Sequence, residues 1–221
     1  MVYGIIVVAI IVLLITYVIL QETRAQMHWR GLVAEGNVEA IRQLLEGEIA
    51  SWHTERVPKN VPALLWHGIQ TVELIDVTPD AARVNCSAEG EYSLVEGRRV
   101  ETSSALEEGK KITMKLADMV LYEVPNVKLD GVQIDVYTSF RDEGGRSEPR
   151  CILSTRVERR EVEDFDWENT AAPEFIELTK GRYAISSNGA IHAVKPLAWD
   201  NGAARNADQP EPGPTQGLSE T

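Results

Sequence analysis

The spacing of apolar residues along this chain takes three forms in turn, and each predicts a different element. From Val2 to Leu20 the run is continuous and uncharged (VYGIIVVAIIVLLITYVIL). As a helix rising 1.5 Å per residue it covers about 28 Å, close to the roughly 30 Å hydrocarbon core of a bilayer. After Gly36-Asn37 the spacing becomes three and four. Val38, Ile41, Leu44, Leu45, Ile49 and Trp52 form one stripe, with Arg42, Gln43, Glu46 and Glu48 mostly off it. That is an amphipathic helix, and Asn37 is a suitable N-cap with Glu39 in the first turn. Pro58 and Pro62 mark a connection, and Pro62–His67 reads as a short helical turn.

From Ile69 the period is two. Strands are predicted at Ile69–Val77, over Ala82, Val84, Cys86 and Ala88, and at Tyr92–Val95 and Arg98–Val100 around Glu96-Gly97. A further strand is expected at Ile112–Tyr122. Val132, Ile134, Val136, Thr138 and Phe140 alternate cleanly, and Cys151, Leu153, Thr155 and Val157 alternate on the return. Strands of this kind have one packed face and one wet face, so antiparallel hairpins are expected. The stripe through Ile41 and Leu45 is expected to cover the face bearing Ile134, Val136 and Leu153. Pro173–Thr179 reads as a helical turn, and Asn188-Gly189 as a tight hairpin between two short strands.

The opening run reads as a retained anchor. A cleaved signal has a basic start, a shorter apolar run and a small-x-small site. No Lys or Arg precedes this run, and Tyr17-Val18-Ile19-Leu20-Gln21 offers no small-residue pair. Tyr3 and Tyr17 stand where aromatic rings favour the interface. Arg24 and Arg30 follow the run, which places the N-terminus outside and the domain on the cytoplasmic side. An extracytoplasmic domain on the same anchor is the alternative.

Composition adds limits. The formal net charge is −12 over 221 residues, which argues against a nucleic-acid surface, since phosphate binding needs clustered Lys and Arg. The two cysteines, Cys86 and Cys151, sit in alternating runs and read as free, buried thiols, although a bridge across the sheet is geometrically conceivable. The expected organisation is an anchor at 1–21, an α+β domain at 22–199 with a C-terminal hairpin near 182–195, and a disordered tail at 200–221, where Pro210, Pro212 and Pro214 replace apolar residues.

The segment AEGNVEAIRQLLEGEIASW, Ala34 to Trp52, resembles the helix that starts the domain in the family of the mitochondrial inner-membrane translocase motor anchor and its bacterial relatives. The resemblance covers roughly Ala34 to Asp166. It implies a nuclear-transport-factor-2-like fold, a cone in which helices cap a curved antiparallel sheet with a pocket between. No functional residue is carried over from it.

Motifs for chemistry are sparse. Serine-nucleophile elbows, phosphate-cradling glycine loops and dinucleotide fingerprints are absent. His28, His53, His67 and His192 share no metal-ligand spacing, so no metal and no cofactor is expected. His53 and His67 flank the proline connection and would meet at one mouth of the sheet. His67 is the one catalytic candidate, as an acid–base partner of Asp76 or another strand carboxylate. The acidic run from Glu161 to Glu168 lacks the glycine turn of a calcium loop and reads as a solvated strand end. The functional expectation is a single-pass, membrane-anchored binding, assembly or accessory protein. It would use residues 2–20 for the membrane and other membrane-associated proteins as partners. The alternative is a small-molecule or enzymatic pocket between helices and sheet.

Overall fold

The computed structural model describes residues 11–17, 21, 31–33, 35–141 and 144–199. Residues 11–17 are helical, with the side chains from Ile11 to Ile15 at least half exposed. The rest of the expected anchor, and the expected tail at 200–221, lie outside the described residues. Among the described residues no helix is long and apolar enough to cross a membrane.

Helix α1 (Val38–Thr54) starts where the pattern predicts. The Asn37 side chain accepts from the Ala40 N–H at 3.1 Å, and Gly36 takes the left-handed turn before it at φ +73°. Its stripe is buried at Ile41, Leu45, Ile49 and Trp52. A short helix α2 (Ala63–Ile69) follows the proline connection, and Trp66 donates its indole N–H to the Glu55 carbonyl.

Among the described residues eight strands follow: β1 (Glu73–Val77), β2 (Ala81–Ser87), β3 (Glu91–Val95), β4 (Arg98–Ser103), β5 (Gly131–Arg141), β6 (Ser147–Glu158), β7 (Arg182–Ile185) and β8 (Ile191–His192). The fold is α+β. Six strands form one sheet in the order β1-β2-β5-β6-β7-β8, while β3 and β4 form a separate pair. The expected all-antiparallel sheet is corrected at its centre: β2 and β5 run parallel from Ala81↔Gly131 to Ser87↔Tyr137. Parallel neighbours need a long crossover, and the segment between Ser87 and Gly131 provides one.

That crossover contains the second correction. The expected strand at Ile112–Tyr122 is helix α3 (Ala105–Asp118) followed by a π-helical turn at Met119–Glu123. The start is fixed by a capping box. Ser104 Oγ accepts from the Glu107 N–H at 3.2 Å, and the Glu107 carboxylate accepts from the Ser104 N–H at 2.8 Å. Leu106, Ile112, Leu116 and Ala117 fall on the buried side. The β-branched pair Ile112-Thr113 imitates a strand locally, but the cap and the tertiary contacts decide. A Cβ on Gly109 would lie 3.1 Å from Val136 Cγ1 and 3.5 Å from Ala88 Cβ, so this glycine lets the helix backbone lie close on the sheet.

Helix α3 therefore takes the place expected of α1. It contacts β5 and β6, whereas the sheet contacts of α1 are with β1 at the edge. Ile41 and Leu45 still share one core with Ile134, Val136 and Leu153. Helix α4 (Ala172–Leu178) packs beside α3. The C-terminal hairpin turns at Asn188-Gly189, with Gly189 at φ +84° and Ile185 opposite Ile191.

The other face of the sheet is polar yet covered. Asp135, 1% exposed, accepts from Arg83 at 2.7 Å, from Ser154 Oγ at 2.5 Å and from Gln133 at 3.3 Å. Residues 194–199 cross this face as an extended strap. Val194 N–H donates to the Cys151 carbonyl and Leu197 N–H to Ser154 Oγ. Gln133 donates to the Leu197 carbonyl, and the Trp199 indole N–H ends the strap on Asp76 at 2.8 Å.

Both cysteines are free and buried. Cys86 is on β2 and Cys151 on β6, with β5 between them. Two strand spacings separate them by about 9.6 Å, beyond the roughly 7 Å Cα limit of a disulfide. The conceivable bridge across the sheet is thus excluded by the strand order. Burial first, then the nearby Asp135 carboxylate, pushes the Cys86 thiol up to about 12 and the Cys151 thiol up to about 11.

Three outcomes follow. Leu116→Ala should cost about 2–5 kcal/mol in urea denaturation, whereas Leu94→Ala should stay within about 0.5 kcal/mol. Asp135→Ala leaves Arg83 facing the strap without its carboxylate; it should cost about 3 kcal/mol, at the low end for a broken buried pair because Arg83 retains some exposure. Neither thiol should react with a disulfide reagent at pH 8 in the folded chain, and both should react after denaturation. Because folding raises both thiol pKa values, the stability from the neutral thiols is complete below the unfolded value of 9.0. It should fall as pH climbs through about 11 and 12.

Candidate functional site

The histidine candidate does not assemble. His67 is exposed on α2, and its Nδ1 lies 3.2 Å from Gln70 Oε1. Asp76 is engaged elsewhere: one oxygen accepts from Arg42 at 3.3 Å and the other from Trp199. His53 does border the same connection, but its Nε2 is held 2.8 Å from the Val72 carbonyl. Gln70 ties the two regions by donating to the Glu55 carbonyl at 3.0 Å. His192 is in β8, and His28 lies outside the described residues. Sequence spacing thus brings His53 and His67 to one corner of the fold without making an acid–base pair.

The acidic run is also absorbed by structure. Instead of a strand end it is a 3-10 turn at Arg159–Glu161 and a loop. Val162 is buried, and Phe165 and Trp167 join Tyr122 and Phe175 in an aromatic cluster with ring centroids 4.9–5.9 Å apart. Asp166 accepts from Asn169 instead of facing a cation. Among the described residues no group of three or more His, Cys, Asp or Glu is placed to hold a metal ion.

Two other clefts are charged or polar, and in the first of them the buried Arg156 Nε has no hydrogen-bond partner. The cleft of about 760 Å³ at the strand ends is lined by Lys128, Arg156, Arg159 and Arg160, but also by Asp80, Asp130, Glu158 and Glu163. Arg160 pairs with Glu158 at 2.6 Å, and Arg159 donates to the Leu129 and Leu121 carbonyls. A second cleft of about 570 Å³ holds His53 beside Thr71, Glu73 and Tyr137, with its ring nitrogen already bonded.

The third cleft, of about 600 Å³, is different, because it lies between two projecting arms. One arm is the β3–β4 pair. The other is the outer part of β5–β6: β2 pairs with β5 only as far as Tyr137, and β7 pairs with β6 only at Leu153 and Ser154. Residues 138–141 and 147–150 therefore extend as a pair without flanking strands. Tyr92, Arg99 and Glu101 line the cleft from the first arm, and Tyr137, Phe140, Arg141 and Pro149 from the second. Arg99 stacks over Tyr92 at 4.0 Å and Arg150 approaches the Phe140 ring at 6.0 Å. Burial first, with Cys151 and Asp135 adding, holds the Tyr137 hydroxyl above its usual range, so it remains a neutral hydrogen-bond donor at neutral pH. Aromatic faces beside guanidinium groups suit a protein or peptide surface with apolar and acidic side chains.

The first arm also exposes apolar side chains beyond the cleft, Leu94 at 79%, Val95 at 51% and Val100 at 44%, while Tyr92 within it is 47% exposed. Both of its faces meet solvent, since every β4 residue up to Thr102 is exposed. Sequence reading located the hairpin from Glu96-Gly97 but not the cleft. Bringing Tyr92 near Phe140 depends on the parallel crossover, which no local spacing encodes. Compared with protein-family models, curated proteins and solved structures, the chain matches none.

Proposed function

We propose that the chain is a single-pass, membrane-anchored binding or accessory protein whose α+β domain grips a protein partner between two strand arms. The observation that carries this reading is the β3–β4 arm, where Tyr92, Leu94, Val95 and Val100 stand exposed on a strand pair that, among the described residues, is hydrogen-bonded to no other strand. A strand pair alone is marginal in water, and here Tyr92 and Leu94 stand on one face and Val95 and Val100 on the other, so both faces offer apolar groups to a partner. The uncharged run at 2–20 supports the anchor, and Arg24 and Arg30 support a cytoplasmic domain. The partner then belongs to the same compartment, among membrane-associated proteins.

The competing reading, a small molecule held between helices and sheet, has less support. That space is occupied by Ile112, Leu116, Leu121, Ile134, Val136 and Leu153, all at most 1% exposed. His67 is on the outside of α2 and offers no group to such a pocket.

The full-length chain, extracted from its membrane in mild detergent, should retain a defined partner. Tyr92→Ala with Phe140→Ala should reduce recovery of that partner several-fold. Leu65→Ala, in the separate groove between α2 and α3, should leave recovery unchanged. Equal recovery from the wild type and the arm variant, with both chains folded by circular dichroism, would remove the reading.

A further inference from the structure

We infer that the outer edge of β4 pairs with the same edge of a second copy of this chain. The inference rests on the reading of the β3–β4 arm as a binding element and adds a second contact at its outer edge, apart from the partner held in the cleft.

Among the described residues the two-stranded sheet leaves β4 with one edge that no strand covers. Such an edge presents unpaired backbone N–H and C=O groups, and many proteins block it with charges of one sign. Here both signs are present: Arg99 and Glu101 share one face of the strand, with Arg98 and Val100 on the other.

Two identical antiparallel strands related by a two-fold axis perpendicular to their sheet must place the axis at a residue, because directly opposed side chains share a face. Each choice of residue gives a different pairing. An axis at Arg99 or Glu101 sets like charges opposite each other. An axis at Thr102 sets Glu101 against Ser103, with no charge match. An axis at Val100 sets Arg99 against Glu101 of the second copy, twice by symmetry, and Val100 against Val100. Opposite charges directly across a sheet stabilise it and like charges oppose it. The side chains of β4 therefore select one register out of the set. Pairing in that register turns an isolated hairpin into a four-stranded sheet, β3-β4-β4-β3, the size at which strands become independently stable. The face carrying Tyr92 and Arg99 still looks into the cleft, so self-pairing leaves the cleft open to another partner.

Disulfide trapping of the full-length chain in its membrane tests this. In the proposed register Val100→Cys meets its own copy at about 4.5–5.5 Å between Cα atoms, within disulfide reach. Thr102→Cys lies on the same exposed edge, but the two copies are four residue steps apart, about 13 Å. Cys86 and Cys151 are buried and do not contribute. Under mild oxidation V100C should give a covalent dimer and T102C only collisional background. On the V100C chain, Arg99→Glu alone or Glu101→Arg alone should lower trapping several-fold, and both together should restore it. Mixing the two single-charge variants should restore it as well. Equal trapping of V100C and T102C, or no recovery in the double swap, overturns self-pairing. If that happens while Tyr92→Ala with Phe140→Ala still releases the partner, self-pairing alone is lost and the binding reading stands.

Discussion

The ion pair between Arg83 and Asp135 determines what the rest of this domain can be. A carboxylate at 1% exposure is tolerated only when its oxygens are satisfied, and here Arg83, Ser154 and Gln133 satisfy them together. These residues come from β2, β5 and β6, so the cluster fixes which three strands are neighbours and in what register. It also makes the second face of the sheet adhesive to polar backbone and not to an apolar helix. The 194–199 strap meets that requirement with main-chain N–H and C=O groups, which an extended segment can offer and a helix cannot. The first face, apolar except for Thr155, is closed by α3. Two faces of one sheet are thus covered by two kinds of chemistry.

The arms follow from the same arrangement. Covering elements reach only as far as the strands they cover, and β5 and β6 run past both β2 and β7. What overhangs is left two strands wide. The β3–β4 pair leaves the fold beside it, at the start of the long connection to β5. The exposed apolar groups of β3–β4 lie outside the core, whereas Phe140 on the other arm is half-buried against it, so the first arm is the less constrained in which residues it carries. That is where a binding surface can differ from the fold that supports it.

The sequence was legible where structure is local. Asn37 and the stripe from Val38 to Trp52 announce α1, and Asn188-Gly189 announces the last hairpin, because a cap and a tight turn are read within four residues. Ser104-x-x-Glu107 announces α3 equally well, yet Ile112-Thr113 and the neighbouring strands drew the reading toward a β period. The parallel pairing of β2 with β5 follows from that helix, and with α3 read as a strand a meander was the natural topology. The strap and the buried Asp135 were not legible. In alternation Gln133 and Asp135 look like the wet face of a strand, and nothing near them in sequence indicates a cover supplied more than sixty residues later. The cleft between the arms depends on all of these at once.

The strap has a consequence for the order in which the chain can become a domain. The Trp199 indole closes on Asp76 across 123 residues of sequence, and the Leu197 carbonyl on Gln133 across 64. During synthesis the helical side can be completed from residues already made, while the polar side must wait for residues 194–199. Until then the nascent domain carries a half-dry carboxylate and an uncovered sheet face, a state that a chaperone would recognise and that premature termination near residue 193 would make permanent.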